Sequence, residues 1–162
     1  MKKLFPYLTY AGAIPFVICA VCLALGIHQL PMLGSVKTIV SVYGLIIASF
    51  LAGSHWGQHL HISQSPWGHY LPLFSNMIAV LLWVGFLLLN FQGLMGAFVV
   101  AFAALLVIDH RLFQQGWIAH HYFQTRCYVS VIVTISLRAF HACSISSGLA
   151  KTRLPLEPLA FE

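Results

Sequence analysis

The chain has 162 residues, enough for one domain, of which 60% are hydrophobic and only 7% charged. A soluble domain carries about 25% charge, so a water-facing globule is excluded and a bilayer is the solvent this chain suits. The formal charge of +5 arises from eight Lys and Arg against three acids, but these cations flank apolar runs. No basic patch forms, which excludes nucleic acid as a partner.

Lys2 and Lys3 precede an apolar run from Leu8 to Ile27. A signal-peptide core of about 7–15 residues would be shorter than this. The run is expected to be a retained first transmembrane helix, kinked at Pro15, with a neighbouring helix re-satisfying the freed carbonyl. Cys19 and Cys22 lie one turn apart within it; with Cys127 and Cys143 they read as small buried hydrophobes, since no second pair completes a metal site.

His28 to Lys37, with Pro31 and Gly34, is a loop. The second helix is predicted over 38–59 and the next loop over 58–69, carrying Pro66 and Gly68. The third helix is predicted over 71–90. Gln92 and Gly93 leave room only for a tight hairpin into a fourth, 93–109, which Asp109 closes. A polar loop follows to His121, then a fifth helix over 122–141. The predicted architecture is therefore all-α: five transmembrane helices in one domain, 1–143, with an extramembrane tail, 144–162, containing Pro155 and Pro158. The positive-inside rule does not fix the orientation, because Lys2, Lys3, Arg111 and Arg126 face Lys37, Lys151 and Arg153, with Arg138 near them.

With five spans, the loops after helices two and four emerge on the same side. His55, His59, His61, His69, His110, His120 and His121 then gather at one membrane face with Asp109, whereas His28 and His141 lie at the other.

The second helix organises the rest. At 100° per residue, Ser49, Gly53 and Gly57 make a small-residue ridge of the kind that lets membrane helices approach closely. Gly44, Ala48, Ala52, His55 and His59 make a second small-and-polar face. Bulky Ile47, Phe50 and Leu51 are expected to meet lipid or an outer helix. His55 and His59, one turn apart, have a metal-ligand spacing, to which His61, His120 and His121 could add. Against that, interfacial histidines are tolerated at headgroup depth and no thiolate or second acid is near.

Asp109 is the only acid before Glu157. An intramembrane carboxylate finds a partner, and Arg126, on the same face, is the expected one. A proton relay with His55 or His110, or a polar substrate site, is the alternative. Arg126, Ser130, Thr134 and Arg138 repeat at i+4 along the fifth helix, a stripe that reads as interhelical glue or, alternatively, as one wall of a polar path.

Three segments carry a family resemblance: FPYLTYAGAIPF (Phe5 to Phe16), YGLIIASFLAGSHWG (Tyr43 to Gly57), and the spaced Asp109, Trp117, Tyr122 and Arg126. The chain resembles the DUF3429 family of small membrane proteins, whose animal members form the transmembrane protein 69 group. The resemblance points to Pro15, Ser49, Gly53, His55, Trp56, Gly57, Ser75, Trp83, Asp109, Trp117 and Arg126. This chain departs from the pattern at Met77-Ile78-Ala79 and at Gly116, where the family has prolines. The extra histidines His59, His61, His69, His120 and His121 are outside the pattern. The resemblance implies a fold and a membrane location but no reaction.

No nucleophile–base pair or carboxylate pair is evident. The sequence therefore supports a non-enzymatic accessory or assembly component of a complex in a bacterial inner membrane, with no cofactor. Its expected partners are lipid, other membrane proteins or further copies of itself. The expected polar cluster is His55, Trp56, Asp109, Trp117 and Arg126. Two alternatives remain open: an oligomeric carrier or proton-coupled permeation protein using His55, Asp109 and Arg126, and a metal- or haem-binding protein at the histidine face.

Overall fold

Proline at position 15 divides the first apolar run. Its ring cannot coexist with a helical carbonyl four residues earlier, and that residue, Ala11, is where α1 (Phe5–Ala11) ends. After a turn at Gly12 and Ala13 the chain re-enters helix as α2 (Ile14–Ala24), with the proline in its first turn. The expected kink is thus a full break. Tyr43 donates its hydroxyl to the Gly12 carbonyl across 3.0 Å, so a neighbouring helix satisfies the opened backbone.

A computed structural model describes residues 5–62 and 66–152. α2 closes on Gly26 at φ +76°, with Ile27 N–H bonded to Cys22 O and Gly26 N–H to Leu23 O. That double bond is the glycine-terminated cap in which a left-handed residue satisfies the last carbonyls. The expected loop before Lys37 holds a two-residue antiparallel ladder, β1 (Gln29–Leu30) and β2 (Gly34–Ser35).

Four long helices follow: α3 (Val36–Ile62), α4 (Pro66–Leu88), α5 (Phe91–Gln114) and α6 (His120–Thr152). All four differ from the expected spans, mainly at polar or proline-bearing ends. Pro66 does not break a loop but opens α4, where its missing N–H costs nothing, so the loop expected over 58–69 is largely helical. Asn90 does not end a helix. It caps α5, its side chain accepting from Gly93 N–H at 2.8 Å. Asp109 does not close α5, which continues five residues to Gln114 and stops where Gly116, at φ +78°, forms a second glycine cap. α6 continues to Thr152, so residues 144–152, expected as tail, are helical, and residues 153–162 lie outside the described ones.

Among the described residues three helices are long and apolar enough to cross a membrane: Val36–Gln58, Tyr70–Leu88 and Phe91–Gln114. Thr9–Ala24 is a shorter apolar stretch. α6 is longer than any of these but carries Arg126 and Arg138 and does not reach their apolarity.

α3 packs against α2, α4 and α5, and α6 against α1, α2 and α5. The core that joins them contains Phe16, Val40, Ala48, Leu82, Phe98, Phe102, Leu137 and Phe140. Lipid offers apolar side chains nearly the same environment as this core, so helix association rests on close packing and polar contacts. Gly44 supplies the closest approach. A Cβ there would lie 2.8 Å from the Phe98 ring, which is itself fully buried.

The expected packing ridge is on the wrong side. Ser49, Gly53 and Gly57 are exposed, and nothing lies within 4 Å of a Cβ built on either glycine. The second face, with Gly44, Ala48, Ala52 and His55 buried, is the one that packs. Ile47 and Leu51, expected to point outward, pack against the core, whereas Phe50 is 71% exposed.

Candidate functional site

α3 and α5 each bring one buried polar side chain to the seam between them, and α6 adds a third. His55, Asp109 and Arg126 are 0%, 0% and 3% exposed. Asp109 Oδ1 lies 2.9 Å from His55 Nε2. Its Oδ2 accepts from Arg126 Nε at 2.9 Å and pairs with Nη2 at 2.8 Å. The pair expected between Asp109 and Arg126 and the contact held open with His55 therefore coexist on one carboxylate.

The hydrogen bonds fix how many protons this cluster holds. His55 Nδ1 is 2.9 Å from the Leu51 carbonyl, which can only accept, so Nδ1 carries a hydrogen. The Nε2–Oδ1 contact needs a second hydrogen, on the imidazole or on the carboxyl. Either way the three groups together carry one net positive charge on side chains that are all buried.

This cluster is close to one end of the spans. Asp109 is five residues from Gln114, where α5 ends, and His55 seven from Ile62, where α3 ends, roughly 8–11 Å along the helix axes. Such depth lowers the cost of the charges but does not remove the need for partners.

The other residues expected in the cluster are elsewhere. Trp56 is 59% and Trp117 49% exposed, because Trp56 follows His55 on the outer face of α3 and Trp117 stands in the turn after the α5 cap. Trp83 is also exposed, whereas Ser75 is buried and donates to the Pro72 carbonyl. Cys19 is buried and Cys22 and Cys127 half-buried, all three as free thiols.

His55 has both ring nitrogens committed, so it offers no lone pair to a metal. Among the described residues no three His, Cys, Asp or Glu side chains come close enough to share an ion. His120 and His121 are exposed, and His120 lies against the Phe113 ring. His110 is exposed too and takes a hydrogen bond from Gln114 rather than joining a relay. The side chains of His59, His61, His69 and His141 lie outside the described residues.

Of the stripe expected as glue or as one wall of a polar path, Arg126 and Ser130 line a cavity beside the cluster, and Thr134 and Arg138 do not. This cavity of about 380 Å³ opens between α1, α3, α5 and α6, lined at one end by Ser54, Gln58, Tyr122 and Arg126. The available signal was two polar i,i+4 pairs, Ser54/Gln58 and Tyr122/Arg126, on helices that turn out to face each other.

A family model for proteins of unknown function matches residues 1–141. The chain belongs to the DUF3429 family. Neither the curated proteins nor the solved structures yielded a match to it. The DUF3429 match covers all three members of the cluster, the exposed ridge and the Pro15 break. It ends at residue 141, within α6.

Proposed function

We propose that this DUF3429 protein is a five-span, non-enzymatic component of a bacterial inner membrane that assembles with other membrane proteins. In this reading the broken α1–α2 unit and α6 span together with the three apolar helices. The observation that carries the reading is the exposed Ser49–Gly53–Gly57 ridge, flanked by exposed Ile46, Phe50 and Trp56. A flat small-residue seam bordered by bulky apolar side chains is the surface on which a second membrane helix packs closely. The buried polar groups support the same reading from inside. His55, Asp109 and Arg126 are occupied with one another, which suits a clamp across α3, α5 and α6 better than a reacting group.

The test is co-purification from native membranes after gentle solubilisation, comparing the natural chain with Gly53→Leu. The expected result is a defined set of membrane partners, or a second copy of the chain, lost on Gly53→Leu while thermal stability is retained. A protein that emerges alone in both forms overturns the proposal. Permeation through the cluster is the second reading, favoured by the cavity that reaches Arg126. Proteoliposome flux equal to that of empty vesicles sinks it.

A further inference from the structure

The cavity between α1, α3, α5 and α6 is graded along its length. On α3 its wall runs from Gln58 and Ser54 to Leu51, Phe50 and Ile47, and on α6 from Tyr122 and Arg126 to Val129 and Val133, with the small hydroxyls of Ser130 and Thr9 as the exceptions along the apolar part. The two helices run in opposite directions, with Ser54 and Gln58 within reach of Tyr122, so the polar ends coincide. From Gln58 to Ile47 is about 16 Å of helix axis. The volume, about 380 Å³, falls within the range of small-molecule sites. Phe50, 71% exposed, stands at the apolar end, which therefore opens toward the outside of the bundle.

Two features of the polar end define what it would hold. Gln58 Oε1 is buried and is the one such side-chain atom without a hydrogen-bond partner among the described residues. Turning the amide over gives Oε1 the Tyr122 hydroxyl within its reach and leaves an N–H of Gln58 for a head group that accepts. Arg126 offers five N–H groups, of which Asp109 takes two. The cluster behind it carries one net positive charge, with no second acid among the residues lining the cavity.

We propose that this cavity binds a single-chain anionic lipid. Its carboxylate or phosphate head meets Arg126, Gln58 and Ser54, and its chain lies along Leu51, Val129 and Val133 with the far end directed past Phe50. The head then lies near the ends of the spans and the tail deeper, the orientation a lipid has in the surrounding leaflet. The site rests on the cavity and the charge of the cluster, independently of any partner on the outer ridge.

The test uses the purified full chain in nanodiscs of phosphatidylcholine, titrated with palmitate, with 1-palmitoyl-glycerol 3-phosphate, and with hexadecanol as the uncharged control. One equivalent of at least one anion should bind, at least tenfold more tightly than hexadecanol. Whichever anion binds more tightly identifies the head as carboxylate or phosphate monoester. Val129→Trp, which fills the apolar half, should weaken binding at least tenfold, and Gln58→Leu severalfold. Ser130→Leu replaces Val129→Trp if thermal unfolding shows the tryptophan variant to be misfolded. Absence of saturable binding by both anions overturns the proposal, as does hexadecanol binding equally well. Binding unchanged in the cavity-filling variant overturns it too. None of these results bears on co-purification through Gly53, so the two proposals fail separately.

Discussion

Replacing Asp109 by leucine removes the only acid from a cluster that carries one net positive charge. Both carboxylate partners are at 2.8–2.9 Å and neither is more than 4% exposed at the side chain, so solvent does not screen the loss. At the effective dielectric of about 20 that suits such sites, one pair of charges separated by about 4 Å interacts by about 4 kcal/mol. Desolvation offsets part of that in the intact cluster, but the guanidinium left behind keeps its desolvation cost and loses its partner. Breaking a buried pair in this way costs about 3–5 kcal/mol. The lower part of that range is expected here, because Arg126 is close enough to the span ends to snorkel toward the headgroups. The unfolding midpoint in detergent should fall by roughly 10 °C, read by a thiol-reactive dye that labels Cys19, Cys22 and Cys127 as the bundle opens. The sign of the net charge makes the ordering specific. Arg126→Met leaves His55 and Asp109 as a neutral pair and should be milder than Asp109→Leu. The double variant Asp109→Leu/Arg126→Met has no unpaired charge, retains only an unpartnered His55 nitrogen, and should recover part of the loss. An Asp109→Leu protein within about 1 kcal/mol of the natural chain, too little for any of the buried-group mechanisms, refutes the clamp. An Arg126→Met protein that loses more than Asp109→Leu refutes the proton count, and a double variant whose loss equals the sum of the singles refutes the Asp109–Arg126 coupling.

His55→Leu keeps the Asp109–Arg126 pair and removes one hydrogen bond from each of Asp109 and the Leu51 carbonyl, so it should cost about 1–3 kcal/mol, less than Asp109→Leu in the same dye assay. Gly44→Ala forces a methyl to 2.8 Å from the buried Phe98 ring and should destabilise by about 1–3 kcal/mol. Gly53→Ala meets nothing within 4 Å and should leave the isolated chain unchanged or more stable by up to about 1 kcal/mol; thermal scans of the two variants side by side decide whether the ridge packs within the chain. Asn90→Ala deletes the α5 cap and should cost about 0.5–2 kcal/mol, with amide exchange at Gly93 rising more than exchange in the middle of α5.

Much of this architecture was legible because bilayer-length apolar runs and charge scarcity leave few alternatives. The number and order of the long helices followed from those runs, and so did the pairing of Asp109 with Arg126, since a lone acid needs a cation and few were on its side. Helix ends were less legible. Pro66 and Asn90 signal a boundary in sequence, but whether such a residue ends one helix or begins the next depends on which backbone groups lack partners. Asp109 looked terminal because polar residues follow it, yet α5 continues through His110 and Arg111, whose exposed side chains tolerate helix well.

The helix face that packs was the least legible feature, and α3 shows the physical reason. Its two small-residue stripes lie roughly 140° apart around the helix, and both allow close approach, so spacing alone cannot rank them. His55 breaks the tie. An imidazole that must satisfy Asp109 turns its own face toward α5 and carries Gly44, Ala48 and Ala52 with it, leaving Ser49, Gly53 and Gly57 outside. The same rotation places Ser54 and Gln58 beside Tyr122 and creates the polar end of the cavity. A single polar contact between α3 and α5 thus determines three surfaces at once: the core seam, the lipid-sized cavity and the outward ridge. Loss of that contact should therefore disturb binding in the cavity and association through the ridge together, whereas Gly53→Leu and Val129→Trp each disturb only one.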